Sequence, residues 1–150
     1  MKRFELCLLS IAFCVCGYFA VGTMPKVEAG PQTPPIVAKG RLINQSDSIP
    51  FATIYTPTDA GQFLLSVTEI VTQDDVFSSG QWQFAPQWFD TGGSETESLN
   101  IDASAHFPVA SVSMTRTFWQ SAGTSINYSL THTLADKSIV SVYWTLQRLQ

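Results

Sequence analysis

Few side chains in this 150-residue sequence are suited to chemistry. His106 and His132 are its two histidines, and neither has a His or Cys partner at metal-binding spacing, so one chain does not assemble a zinc site. Asp74, Asp75, Asp90, Glu95, Glu97 and Asp102 could offer oxygens to Ca²⁺, but no repeated Asp-x-Asp spacing supports this, and solvated loop acids account for them. No metal and no other cofactor is expected. Serines are plentiful, yet neither a Gly-x-Ser-x-Gly elbow nor a local Ser–Lys motif accompanies them. Asp90-Thr91-Gly92-Gly93 is, by itself, a good hairpin turn. The tryptophans remain: Trp82, Trp88, Trp119 and Trp144. Exposed flat aromatics suit sugar stacking. Trp82 and Trp88 share a strand parity with Phe84, and Trp144 shares one with Val140 and Val142, which points to core. Trp119 ends its strand and is the candidate ligand-binding residue. No catalytic residue is assigned.

Phe89-Asp90-Thr91-Gly92 resembles the catalytic loop of aspartic proteases, which makes an aspartic hydrolase the remote alternative. The resemblance implies that Asp90 would share a proton with a second such Asp, because like charges ~3 Å apart cannot both ionise, and that a second copy of the chain would supply it. That family has Ser, Thr or Ala after the glycine, where this chain has Gly93. It also supports the loop with a later apolar-apolar-Gly segment. The glycine that follows Gly93 is Gly123, between Ala122 and Thr124.

The elements that must position these residues are strands. From Ile36 onward the hydrophobic period is two. Phe63, Leu65, Val67 and Val71 alternate with Leu64, Ser66, Thr68 and Thr72. Ile126, Tyr128, Leu130, His132 and Leu134 form a second such set, and Val140, Val142, Trp144 and Leu146 a third. Each reads as a strand with one buried and one wet face. Further strands are expected over Ile36 to Asn44, Pro50 to Thr56, Gln81 to Phe89, Ser94 to Ile101 and Pro108 to Trp119. Turn residues separate them, as in Pro57-Thr58-Asp59-Ala60-Gly61 and Ser121-Ala122-Gly123. The expected fold is an all-β antiparallel sandwich of seven to eight strands over residues 36–150.

Ahead of it, Lys2 and Arg3 precede an apolar run from Leu6 to Met24 that holds all three cysteines, Cys7, Cys14 and Cys16. A basic start and an apolar run are the pattern of an export signal, here residues 1–22. Cleavage after Gly22 or after Ala29 would follow small residues at both −3 and −1. A retained helix is the alternative, since 19 residues reach roughly 28 Å, close to the hydrocarbon thickness. Lipidation fits poorly, because bulky Phe13 and Val15 precede Cys14 and Cys16. Residues 23–35 carry Pro25, Pro31, Pro34 and Pro35 and read as an extended spacer. The domain is therefore expected outside the cytoplasm, secreted or in the cell envelope, either free or tethered.

The segment from Phe51 to Val67 carries a resemblance. An aromatic strand, Phe51 to Tyr55, leads through Pro57 and Gly61 into the strand that begins at Phe63. This resembles the strand–turn–strand of jelly-roll domains of the complement and tumour-necrosis-factor type, and also small sandwich domains of exported bacterial proteins and phage particles. Ala122 to Tyr128 and the closing strand Ser138 to Leu149 sit where that fold places its last hairpin. The resemblance implies a jelly roll, often trimeric, used for binding or assembly and not for catalysis.

From Gly30 onward ten acids face five bases, a net charge of −5. Acid excess with no basic patch disfavours nucleic-acid binding. The surface, rich in Ser, Thr and Gln, suits packing against copies of itself. The expected function is thus a non-catalytic exported module with a structural or binding role, working as a homo-oligomer. A carbohydrate-binding module on exposed aromatics is the alternative, with a cell-surface or glycan partner. Asn44-Gln45-Ser46 and Asn127-Tyr128-Ser129 are glycosylation acceptors in a host with that machinery.

Overall fold

A computed structural model describes residues 33–75, 77, 80–103, 111–134 and 137–150. Residues 1–22, read above as an export signal, residues 23–32 of the expected spacer, and His106 lie outside the described residues. Nine strands occur among them: β1 (Ile36–Gln45), β2 (Ile49–Tyr55), β3 (Gly61–Gln73), β4 (Gln81–Asp90), β5 (Gly93–Thr96), β6 (Leu99–Asp102), β7 (Ser111–Gln120), β8 (Ile126–His132) and β9 (Ile139–Arg148). One sheet has the order β1-β9-β3-β7. The other has the order β2-β8-β4-β5, with β6 also paired to β4. Every strand pairing is antiparallel. The all-β antiparallel two-sheet sandwich read from the sequence is therefore the fold.

The period-two residues meet between the sheets. Phe63, Leu65 and Val67 of β3, Trp82 and Phe84 of β4, Ile126 and Leu130 of β8, and Val140, Val142 and Leu146 of β9 are buried there. Burial of large apolar side chains, each worth about 1.5–3 kcal/mol, drives this packing. Trp88 stacks on Phe118 at 4.8 Å, and Phe84 on Tyr128 at 5.1 Å. Trp144 packs against Tyr128 at 5.1 Å, and its ring occupies the space a side chain at Gly40 would need. The assignment of Trp82, Trp88 and Trp144 to the core agrees with these contacts.

Two strands differ from expectation. The stretch Ser94 to Ile101, read as one strand, is two short ones. β5 pairs with residues 87–90 of β4, and β6 with residues 81–84. The gap lies opposite Ala85 and Pro86. Pro86 offers its carbonyl to the Glu97 amide at 3.3 Å but has no N–H to return, so the ladder breaks there. β8 ends at His132, and Leu134, two residues on, is 48% exposed instead of continuing the buried face.

Candidate functional site

The loop at Asp90 is a hairpin turn. Asp90 pairs with Gly93 across a two-residue loop, and Asp90 Oδ1 accepts from the Gly92 and Gly93 amides at 2.6 and 3.1 Å. Gly93 holds φ +131°, a region that favours glycine. The carboxylate is thus engaged in shaping the turn.

A serine and a histidine do meet. Ser138 Oγ lies 3.2 Å from His132 Nε2 and accepts from the Trp82 indole N–H at 2.9 Å. His132 stacks on the Trp82 ring at 4.0 Å and 7°. Ser138 is 1% exposed, so a substrate has no access to its hydroxyl. The cluster satisfies the polar edge of a buried tryptophan.

Sequence reasoning passed over two buried polar residues. Gln120, at the end of β7, is fully buried and fully satisfied. Its Oε1 accepts from the Phe89 amide at 2.9 Å, and its Nε2 donates to the Thr124 carbonyl at 2.9 Å. It ties one sheet to the other. Glu69 is the opposite case. It lies on the inward face of β3, fully buried, and neither carboxylate oxygen has a hydrogen-bond partner. Burial pushes its pKa up to about 8, and the nearby Phe84 backbone amide opposes this without completing a hydrogen bond. Glu69 falls at the parity of Phe63, Leu65, Val67 and Val71, which was the available signal.

Trp119, where the sequence reading ends its strand, is followed by one more strand residue, Gln120, and is 45% exposed. Its neighbours Phe118 and Gln120 are buried, so its side chain leaves the outer face of the edge strand β7. A concavity lies elsewhere on that same outer face. A depression of about 590 Å³ is lined by Lys39, Arg41, Ser66, Thr68, Tyr143 and Thr145 among others. Sheet register assembles it in two rows. Lys39 pairs with Thr145, which pairs with Ser66; Arg41 pairs with Tyr143, which pairs with Thr68. Each row runs on into β7, through Thr115 and Ser113, and Thr68 and Ser113 hydroxyls are 2.9 Å apart. Trp119 is roughly 20 Å from Tyr143, counting six residues along a strand at ~3.3 Å each and two strand spacings. The two aromatics do not form one platform.

Charge marks the depression. Of the five bases beyond Gly30, Arg116 pairs with Glu97 at 3.2 Å and Arg148 with Asp59 at 3.8 Å. Lys137, Lys39 and Arg41 have no ion-pair partner among the described residues, and of these three Lys39 and Arg41 stand side by side on β1. Both project from the edge strand β1 into the same depression, beside the half-exposed Tyr143. The signals were present in the sequence as Lys39-x-Arg41 and as the wet parities of β3 and β9. What brought them together was register between β9 and two strands, β1 and β3, that lie far from it in sequence.

No protein-family model matches the chain, and no curated protein matches it. Among solved structures it is similar to Eiger TNF from S. frugiperda, at 13% identity and a TM-score of 0.40, over 79% of this chain and 94% of that one. It is also similar to dimeric latent PorU from Porphyromonas gingivalis, at 8% identity and a TM-score of 0.37, over 81% of this chain and 14% of that one. No functional statement follows from either.

Proposed function

We propose that this chain is an exported, non-catalytic module with a jelly-roll sandwich, which assembles with copies of itself and presents the open face of its β1-β9-β3-β7 sheet to a ligand. The jelly-roll reading is supported by the strand order. Consecutive strands alternate between the sheets from β1 to β4, and the last two strands return between earlier ones. The observation that carries the binding role is the depression itself: a concavity, an exposed aromatic and two cations with no ion-pair partner among the described residues coincide at one place.

Self-association is assigned to the edge strands. β1 and β2 each lie at the edge of a sheet, and they expose Ile36, Ile43 and Phe51 at 56%, 43% and 60%. Unpaired edges with apolar side chains favour pairing with another chain. Native mass spectrometry of the exported protein tests this. The expected result is a multimer, lost in the Ile43→Lys, Phe51→Lys double variant; a strict monomer refutes the assembly. The same spectrum reads out cleavage after Gly22, cleavage after Ala29, or a retained segment.

The exposed Trp119 favours a second reading, a polysaccharide-binding module centred on that ring. Trp119→Ala should then abolish retention on a polysaccharide resin.

A further inference from the structure

We infer that the depression on the β1-β9-β3-β7 face binds a carboxylated sugar, with its carboxylate on Lys39 and Arg41 and its ring on Tyr143. The inference rests on the binding role proposed above and names the ligand class. Three features select it. First, the charge is local and small. Two cations with no ion-pair partner among the described residues stand on a domain of net charge −5, so one or two negative charges are attracted there while a long polyanion is repelled by the rest of the surface. Second, Arg41 offers a planar fork that matches a carboxylate, and Lys39, two residues along the same strand face, adds a point charge about 7 Å away. Third, beside the two cations the lining is three hydroxyls, the exposed Tyr143, and Gly40 with the partly buried Trp144. Ser66, Thr68 and Thr145 can each donate once and accept twice, which suits sugar hydroxyls, and a tyrosine face suits the apolar side of a pyranose. The volume, about 590 Å³, lies within the usual ~300–1,000 Å³ of small-molecule sites.

A plainer role for Lys39 and Arg41 would be to guard an edge strand against pairing. That role is served by charge anywhere on β1. It requires neither that both side chains line one concavity nor that Tyr143 and three hydroxyls lie beside them.

The test is calorimetric titration of the full-length exported protein with four probes: trigalacturonate, sialyllactose, lactose and oligoglutamate. The expected result is binding of one or both carboxylated sugars, with lactose and oligoglutamate weaker by about tenfold or more. Which carboxylated sugar binds distinguishes a uronate from a sialic acid source. Binding should weaken with added salt. The Lys39→Gln, Arg41→Gln double variant and Tyr143→Ala should each reduce affinity about tenfold, with an unchanged urea midpoint, while Trp119→Ala leaves it intact. Equal binding of lactose or oligoglutamate, no binding of either carboxylated sugar, or indifference to the double variant would each overturn the inference. Its failure is separable from that of the assembly: a multimer that ignores these sugars refutes only the ligand, and a monomer that binds them refutes only the assembly.

Discussion

Glu69 should make this domain more stable in mild acid than at neutral pH. Its pKa is about 8 in the fold and 4.5 in an unfolded chain. Between those values the folded protein keeps a proton that the unfolded chain has released. Stability contributed by this proton is full below about pH 4.5 and falls as pH rises toward 8. At 1.36 kcal/mol per unit, the penalty at pH 7 is about 3 kcal/mol, and at pH 5 about 1 kcal/mol. The groups around Glu69 do not change the sign. Its ladder neighbours are Val112 and Val142, Phe84 approaches from the opposite sheet, and among the described residues no ion pair joins it to a charged side chain. Urea unfolding at pH 5, 6 and 7 should therefore show the wild-type stability falling by about 2 kcal/mol across the series. Glu69→Leu replaces the buried carboxyl with an apolar side chain of similar size. It should flatten that slope and raise stability at pH 7 by about 3 kcal/mol. A wild-type protein that gains stability from pH 5 to 7, or a Glu69→Leu variant that keeps the wild-type slope, would refute the reasoning.

Gln120→Leu keeps the volume of a buried residue but leaves the Phe89 amide and the Thr124 carbonyl without their partner; a loss of about 2–4 kcal/mol in urea unfolding is expected. Gly40→Ala would force the Trp144 ring from its place against Tyr128 and should cost about 1–3 kcal/mol, visible as a changed near-ultraviolet circular dichroism spectrum. Asp90→Ala removes the acceptor of two turn amides and should cost about 1 kcal/mol. Peptide cleavage at acid pH that Asp90→Asn abolishes would instead favour a hydrolase. In a host that glycosylates, Asn44, which is exposed, should be modified, while Asn127, 5% exposed and bonded to Thr53 at 2.9 Å, should not; mass mapping of glycopeptides decides this.

The sandwich was legible because it depends on a local quantity, the parity of apolar residues along each strand. The same parity sent Trp82 and Trp88 inward correctly. It could not reveal that one long candidate strand is two, because the cause, the missing amide of Pro86, lies on the neighbouring strand. It did place Glu69 inward, between Val67 and Val71, but parity along one strand does not say whether the carboxylate finds a partner across the core. The sequence reading makes Trp119 exposed as the end of its strand; β7 runs on to Gln120, and Trp119 is exposed by its outward parity between buried Phe118 and Gln120. The depression was not legible, because Lys39, Ser66 and Tyr143 become neighbours only through the pairing of β1 and β3 with β9.

That pairing also separates the effects of mutation. β3 presents Leu65, Val67 and Glu69 to the core and Ser66 and Thr68 to the depression, in strict alternation. A change at an inward position alters packing or buries a different polar group, so it should shift stability by kilocalories. A change at an outward position touches solvent and the proposed ligand, and surface substitutions of this kind usually stay within about 0.5 kcal/mol. Adjacent residues of one strand therefore give independent tests. Thr68→Val should weaken ligand binding with little change in unfolding, whereas Val67→Ala should lower stability by about 1–3 kcal/mol and leave the affinity of the folded fraction unchanged. If both variants lost binding in proportion to stability, the outward face would be acting only as the back of the core.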